Sequence, residues 1–385
     1  MNSLIHLDKI KKFTDEEEIQ LSTYGNRWKS LAMSMKFLGL KLEKRFTPHI
    51  IFMLIAAKIF AIYFIYKNII LLTNYSSSLV NWMIFAYYLF RLSINVFLLY
   101  HFHLNKKKIM SKLNDLYEVS GISREISNKS RSMLIKVCII WFSSIVTNIV
   151  NYLIITKKKF KFNSTKQIFH TNFDDYRGDI IEFLPHFVSS VTITLQFYFL
   201  LLHFSSICKD FEYSFVLVRK KLVDNCNPKE IKAASFKYMQ ISGIINDIEN
   251  IYSPVLFLWS TLIVGNVIFS IGHHLQNVMS FTLSDMIILF YFYGVQFLLF
   301  SDICFSSSNM NREAKTFAMS LYKSSLSIDD PAIQQFAFRF SVEILQDLPN
   351  FSAWNMFYID NNLTMTIFSA VVTYGLVMYQ FSRKE

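Results

Sequence analysis

Seven apolar stretches, each about 20 residues long, constrain this chain more than any other feature of its sequence. A helix of that length crosses the hydrocarbon core of a bilayer, where helices and closed barrels alone satisfy every backbone hydrogen-bonding group. The sequence therefore predicts an all-α membrane protein with seven transmembrane helices. The predicted spans cover residues 50–72, 79–100, 133–155, 183–208, 254–276, 285–305 and 363–381.

The composition agrees with a helical membrane protein and argues against a β-barrel. Hydrophobic residues make up 52% of the 385 residues and charged residues only 17%, against roughly 25% in soluble domains. Nine glycines and six prolines are few, which favours long uninterrupted helices. The net charge of +11 is typical of cytoplasmic loops that face anionic lipid. Membrane lipid is therefore an expected partner, and no nucleic acid is needed to explain the charge.

Basic residues around the first span indicate its orientation. Four of them shortly precede the span: Lys36, Lys41, Lys44 and Arg45. Lys67 alone follows it closely. Because positive residues are retained on the cytoplasmic side, we expect the N-terminus in the cytosol and, with seven spans, the C-terminus outside the cell. The lysines at 106–108 agree with this topology, whereas those at 157–159 oppose it.

The spans divide the chain into membrane and cytoplasmic segments. A cytoplasmic N-terminal segment (1–49) precedes transmembrane helices 1–4 (50–208), and a cytoplasmic helical extension (209–253) precedes helices 5–6 (254–305). A cytoplasmic anchor segment (306–362) then leads to the seventh helix (363–381), which is expected to line a pore.

The two long cytoplasmic segments carry apolar residues at helical spacing. The first segment contains two such series: Phe211, Phe215 and Leu222, and Ile241, Ile244, Ile248 and Ile251. Spans four and five are therefore expected to continue as helices into the cytosol. Pro185 and Pro254 are expected near the starts of these spans, where the missing proline N–H costs least.

An amphipathic helix is predicted from Pro331 to Leu345. Its apolar face is expected to carry Ile333, Phe336, Phe340 and Ile344. Ser327 or the pair Asp329-Asp330 could cap its first turn. Apolar faces on helices outside the membrane must be buried, so these segments predict a cytoplasmic assembly platform.

Polar and aromatic residues gather in the predicted outer half of the bundle and form the candidate ligand-binding site. Its members are Trp82, Tyr88, Asn148, Tyr152, His186, Asn266, His273, Tyr291 and Tyr293. Such residues commonly form hydrogen bonds between membrane helices, and that interpretation stays open. Collected from several helices at one depth, they also predict a pocket with aromatic walls that opens outward for a small ligand.

The sequence carries no signature of an enzyme. It has no His-Glu-x-x-His, no Gly-x-Ser-x-Gly, no phosphate-binding glycine loop and no paired cysteine motif. The adjacent His273 and His274 would point about 100° apart on a helix and cannot chelate one ion. We therefore expect no catalytic residues, no metal site and no cofactor.

Short motifs follow one another near the C-terminus: Phe351-Ser352-Ala353, Phe357-Tyr358-Ile359-Asp360, and Thr373-Tyr374 followed after five residues by Gln380-Phe381. Three more lie upstream: Ile245-Asn246-Asp247, Ile251-Tyr252-Ser253-Pro254 and Glu313-Ala314-Lys315. With seven spans and a cytosolic N-terminus, these motifs resemble the pattern of the insect gustatory receptors over nearly the whole chain. The final motif is the most specific of them.

This resemblance implies a ligand-gated, non-selective cation channel in the plasma membrane, built from four subunits around a central pore. A small-molecule tastant would bind in the outer half of each subunit, and the inner helical segments would form a shared anchor. By position, Val377 and Phe381 would form a hydrophobic gate with Gln380 beside them, after the motif residues Thr373 and Tyr374. A homotetramer and a heteromer with related receptors both fit the resemblance.

Other functions stay open at this point. The related insect odorant receptors share the architecture, so an odorant receptor subunit that needs a co-receptor is the nearest alternative. A G-protein-coupled receptor would need the opposite orientation and a cytoplasmic tail longer than the four residues after the last span. A transporter would be expected to show an inverted repeat, which this sequence lacks. The ligand could be a sugar, a bitter compound, carbon dioxide or an internal nutrient.

Overall fold

The protein is described by a computed structural model over residues 28–37, 79–122, 132–146, 173–224, 227–276 and 283–382. In these ranges the chain is almost entirely helical. The helices are α1 (Lys29–Phe37), α2 (Leu79–Ser120), α3 (Ser132–Val146), α4 (Phe173–Asp224), α5 (Pro228–Gln276), α6 (Leu283–Ser325), α7 (Pro331–Gln346) and α8 (Asn361–Ser382). Two short strands, β1 (Ser352–Ala353) and β2 (Phe357–Tyr358), lie between α7 and α8. The predicted first span lies outside the described residues.

Four helices are far longer than a bilayer is thick. α2, α4, α5 and α6 contain 42, 52, 49 and 43 residues. At about 1.5 Å per residue each exceeds 60 Å, roughly twice the hydrocarbon thickness. The expected helical continuation beyond spans four and five is confirmed, and α2 and α6 continue in the same way.

Length and hydropathy together indicate which of the described helices could cross a membrane. One stretch, Pro228–Gly265, is long and apolar enough to cross a membrane, and half of its most apolar window is buried within the protein. The apolar helix Ser132–Val146 is shorter. The count of seven spans and their orientation stay predictions.

The expected position of Pro254 at a helix start is wrong. Pro254 stands in the interior of α5, because the cytoplasmic extension and the predicted fifth span form one continuous helix. Pro185 likewise lies within α4 rather than at its start. A proline inside a helix removes the backbone hydrogen bond to the carbonyl four residues earlier and favours a bend.

The continuous helices pack into a core that the sequence periodicity predicted well. Ile241, Ile244, Ile248 and Ile251 of α5 are all buried, as are Phe211, Phe215 and Leu222 of α4. An aromatic cluster joins the helices around Tyr238 of α5, whose ring stacks on Phe317 of α6 at 5.2 Å and meets Phe340 of α7 edge-on at 5.9 Å.

The amphipathic helix α7 begins where the sequence predicts, but its buried face is different. Asp330 is the N-cap, and its side chain accepts a hydrogen bond from the Ala332 N–H, with Pro331 in the first turn. The buried residues are Ile333, Ala337, Ser341 and Ile344. Phe336 is exposed and Phe340 is half-buried. In the middle of the buried face, the next residues along the chain, Ala337 and Ser341, take the places predicted for these two phenylalanines. The two rings stack on each other at 6.0 Å instead.

A buried carboxylate connects α2, α4 and the residue that precedes α1. Asp210 of α4 accepts hydrogen bonds from the Trp28 indole N–H at 2.9 Å and from the Tyr117 hydroxyl at 2.6 Å. Its carboxylate is thereby satisfied although it is fully buried. The α2 helix ends at Ser120, and the next residue, Gly121, has a φ of 69°, a left-handed conformation that glycine adopts without strain.

A second carboxylate joins α3, α4 and α6. Asp302 of α6 forms ion pairs with Lys136 of α3 and, at 3.5 Å, with Lys209 of α4. It also accepts a hydrogen bond from the Ser205 hydroxyl at 2.6 Å. Lys136, Lys209 and Asp302 all lie near the predicted cytoplasmic ends of their spans, so this contact aligns the three helices at one level.

Candidate functional site

Most of the described side chains of the last helix, α8, are exposed in the single chain. It packs against α5 and α6, with Ile367 buried and Leu363 half-buried on that side. Large apolar side chains elsewhere on the helix are 40–67% exposed: Met365, Phe368, Val372, Leu376 and Val377. An apolar surface of this extent requires lipid or another apolar surface as its partner.

The predicted gate residues lie on uncovered parts of α8. Val377 is exposed, and so is Gln380 three residues later, which places them on adjoining parts of the helix surface. Thr373 and Tyr374 of the family motif are exposed as well. The Thr373 hydroxyl donates to the backbone carbonyl one turn earlier at 2.8 Å. Phe381 belongs to the last turn of α8, and its side chain lies outside the described residues.

A β-hairpin leads directly into α8, and we call residues 351–359 the base hairpin. Its strands are antiparallel, with Ser352 opposite Tyr358 and Ala353 opposite Phe357. The Met356 N–H donates to the Ala353 carbonyl at 3.0 Å and closes a β-turn whose two central residues are Trp354 and Asn355. The sequence analysis singled out these residues by resemblance but did not predict a hairpin, because two-residue strands show no periodicity.

The turn of the base hairpin has an unusual conformation. Trp354 and Asn355 have φ values of 52° and 55°, so both lie in the left-handed region. Two positive φ values are typical of a type I′ turn, which matches the twist of a hairpin. Asparagine tolerates this region, whereas a tryptophan there is strained by about 1–2 kcal/mol.

The base hairpin is attached to one face of α5. Glu249 Oε1 accepts hydrogen bonds from the Ser352 N–H at 3.0 Å and from the Ser352 hydroxyl at 2.6 Å. One turn later, Ser253 Oγ accepts from the Trp354 N–H at 2.7 Å. One turn further, the Phe257 ring meets the Trp354 ring edge-on at 5.3 Å.

The hairpin also packs on α4 and continues into the N-cap of α8. Phe351 is fully buried against Phe204 at 4.9 Å and Phe211 at 6.2 Å. Its carbonyl accepts the Ile359 N–H at 2.8 Å. Asp360 Oδ1 then accepts the Leu363 N–H at 2.9 Å, which caps the first turn of α8.

Two contacts join the first half of α8 to α6. The Asn361 N–H donates to the Ser308 hydroxyl at 3.0 Å. Further along, the ring of Phe368 lies 6.0 Å from that of Phe297. The start of α8 is therefore held by α4, α5 and α6 together.

A buried polar contact joins α4 and α5 close to the base hairpin. His203 Nδ1 and the Tyr252 hydroxyl form a hydrogen bond of 2.7 Å, and His101 of α2 bonds to the Ile251 carbonyl at 2.8 Å. The sequence alone did not predict this network or the Asp302 ion pairs. Their signal was a few polar residues near the ends of apolar runs.

The candidate ligand-binding residues cannot be assembled into a pocket from the described side chains. Asn148 and Tyr152 lie outside the described residues. The backbones of the other seven belong to described helices, but the structure does not describe their side chains. These residues are Trp82, Tyr88, His186, Asn266, His273, Tyr291 and Tyr293. The outer pocket therefore stays a prediction.

A polar cavity of about 310 Å³ opens beside the base hairpin. It is lined by Ser242, Asn246 and Glu249 of α5, by residues 347–350 and by the hairpin itself. These side chains offer hydrogen-bond donors and acceptors, among them the Ser352 hydroxyl that donates to Glu249 Oε1 at 2.6 Å. Among the described residues, no group of three or more His, Cys, Asp or Glu side chains could hold a metal ion.

Comparison with known proteins places this architecture in one family. Residues 36–385 match the family model of the 7tm chemosensory receptors. The fold is similar to that of the insect olfactory receptor OR5 from Machilis hrabei in complex with eugenol, with a TM-score of 0.60 and 14% identity over 93% of this chain and 99% of that one. A second structure of that receptor gives a TM-score of 0.58 and 13% identity, over 92% and 97% of the two chains.

The search of curated proteins gives no significant match. The family model nevertheless covers nine-tenths of the sequence, including α8 and the residues that build the base hairpin. The chain is a member of the 7tm chemosensory receptor family.

Proposed function

We propose that this protein is a gustatory-type receptor that acts as a ligand-gated, non-selective cation channel in the plasma membrane. It would cross the membrane seven times with a cytosolic N-terminus and an extracellular C-terminus. Four copies, or copies together with related receptors, would surround one pore. The ligand would be a small-molecule tastant bound in the outer half of each subunit.

The uncovered surface of α8 is the observation that carries this proposal. A helix with apolar side chains around most of its surface needs partners beyond its own chain. Four such helices around an axis would supply those partners to one another. The side with Val377 and Gln380 would then face the pore, where apolar rings close it by dewetting and amides replace part of an ion's hydration.

The long continuous helices support the anchor part of the proposal. α2, α4, α5 and α6 extend well beyond a bilayer's thickness, and their extensions pack around Tyr238 together with α7. Several apolar side chains on the extensions and on α7 stay exposed in the single chain: Phe236, Met239, Met319 and Phe338. Contact with neighbouring subunits would cover them.

The test is whole-cell current from cells that express this chain alone while G-protein signalling is blocked. Eugenol, which is bound in the related olfactory receptor structure, is applied together with a sugar and bitter-compound panel. A rapid cation current that is altered in Gln380 and Phe381 variants supports the channel. If the protein reaches the cell surface but carries no current, even when a co-receptor is co-expressed, the result contradicts the channel.

An odorant receptor subunit is the second candidate. It is favoured by the similarity between the fold of this chain and that of an insect olfactory receptor. Dependence of the current on a co-receptor separates this candidate from a self-sufficient gustatory receptor. A G-protein-coupled receptor is tested by topology instead. A C-terminal epitope that antibodies reach on intact cells supports the channel orientation, whereas one that they reach only after permeabilisation contradicts it.

A further inference from the structure

The base hairpin contacts α5 at three residues that lie on one face of the helix. Glu249, Ser253 and Phe257 are spaced four residues apart, so they project from the same side on successive turns. Glu249 and Ser253 accept hydrogen bonds from Ser352 and Trp354. Phe257 contacts the Trp354 ring. The hairpin therefore spans about two turns of α5.

Pro254 lies within this contact. It is inside the helix, between Ser253 and the turn that carries Phe257. Because proline has no N–H, the carbonyl of Asn250 loses its helical partner, and the helix bends most easily there. Glu249 thus belongs to the cytoplasmic half of α5 and Phe257 to the half that continues toward the ligand candidates Asn266 and His273. The base hairpin bridges both halves.

The strained turn makes the contact sensitive to its partners. Trp354 keeps its left-handed φ of 52° while its N–H donates to Ser253 and its ring rests against Phe257. A strained residue persists where its surroundings over-determine it, and such residues gather at moving parts of proteins. Without the Ser253 acceptor, one of the contacts that hold Trp354 in its strained conformation is lost.

The opposite end of the hairpin is rigidly connected to α8. The Ile359 N–H bonds to the Phe351 carbonyl, and Phe351 is enclosed by α4. Asp360 follows and caps α8 through the Leu363 N–H. No flexible linker lies between the hairpin and the helix, so a displacement of the hairpin tilts or shifts the start of α8.

We propose that Glu249, Ser253 and Phe257 are positioning residues that transmit bending of α5 at Pro254 through the base hairpin to α8. This inference rests on the proposed channel function and specifies how ligand binding in the outer half reaches the gate. Ser253 is the central residue, because its hydrogen bond holds the strained Trp354 beside the proline.

The test compares two serine-to-alanine variants of α5. Ser253→Ala removes the acceptor of the Trp354 N–H. Ser260→Ala is the matched control, since Ser260 is also buried on α5 and its hydroxyl donates within the helix, to the Leu256 carbonyl at 2.8 Å. The readouts are the current evoked by the eugenol, sugar and bitter-compound panel, its concentration dependence, and the amount of receptor on the surface.

Loss of one hydrogen bond in the coupling path is expected to raise the half-maximal concentration about two- to tenfold in Ser253→Ala. Surface amount and the response of Ser260→Ala are expected to stay at the wild-type level, which a purely structural role of Ser253 would not produce. A response of Ser253→Ala equal to that of Ser260→Ala overturns the proposal.

Hydrogen–deuterium exchange of the full purified chain separates this inference from the channel function. Faster exchange at residues 352–366 in Ser253→Ala, with exchange near the wild-type rate in Ser260→Ala, supports the connection between α5 and α8 even if the wild-type chain carries no current. Equal exchange in both variants overturns the inference, whatever the currents show. Silence of the wild-type chain counts against the channel alone.

Discussion

His203 Nδ1 lies 2.7 Å from the Tyr252 hydroxyl, in a buried contact that fixes α4 against α5. Both side chains are almost fully enclosed, and the ring of Phe204 packs on Tyr252 at 4.9 Å. The contact lies next to Ser253 and to the base hairpin. The relative height of the two helices at the base of α8 is therefore set by a specific polar contact as well as by apolar packing.

Replacement of Tyr252 by phenylalanine keeps the ring and removes this hydrogen bond. The expected cost is about 1 kcal/mol of stability, because a bond made in an apolar surrounding is lost without a water to replace it. The thermal midpoint of detergent-purified protein measures the effect. Tyr322→Phe is the control, since that ring is on α6 and half exposed to solvent. Equal midpoints in the two variants would contradict the prediction.

Asp302→Asn is expected to destabilise the protein by about 1–3 kcal/mol, because two lysines lose the charge that they share. Thermal midpoint and surface amount are the readouts. Asp247→Asn is the control: it breaks the 2.7 Å pair with Lys112, in which both side chains are considerably exposed and which is therefore worth little. Addition of Lys136→Met to Asp302→Asn should restore part of the loss, and failure to do so would point to a cause other than charge.

The sequence predicted those parts of the fold that depend on local patterns. The isoleucine series from Ile241 to Ile251 has helical periodicity, and all of its members are buried. The start of α7 follows from Asp330 and Pro331, whose roles at a helix N-terminus are local chemistry. The family assignment also follows from short contiguous motifs and is confirmed.

Other features depend on which helices become neighbours, and periodicity contains no such information. Asp302 meets Lys136, which is far away in sequence, so neither residue signals the pair on its own. On α7 the apolar pattern placed Phe336 inside, but the close approach of α6 leaves room for Ala337 instead. The base hairpin has two-residue strands and a tryptophan at a positive φ, against both the strand and the turn preferences. The gate and the outer pocket stay predictions.

Val377→Ala and Phe381→Ala are expected to raise the current without ligand several-fold. Smaller side chains widen a hydrophobic constriction and reduce its tendency to exclude water. Basal whole-cell conductance per surface receptor measures the effect. Met365→Ala is the matched control, since Met365 is an exposed apolar residue on the same helix, about 120° around it from Val377 and about 160° from Phe381. An unchanged leak in both gate variants would show that these residues do not close the pore.

Gln380→Lys is expected to reduce cation current strongly, because in the proposed tetramer four ammonium groups at the narrow end of the pore would repel cations through a medium of low dielectric constant. Gln380→Asn keeps the amide and should retain most of the current. Gln380→Glu has the opposite charge and is expected to favour cations, seen as a shift of the reversal potential when external sodium chloride is diluted. The Gln380 side chain is exposed on α8, so none of the three substitutions is expected to alter packing within the subunit. If the Gln380→Lys and Gln380→Glu variants both keep the conductance and reversal potential of the wild-type protein, Gln380 faces lipid or a neighbouring helix, and the ion path lies elsewhere.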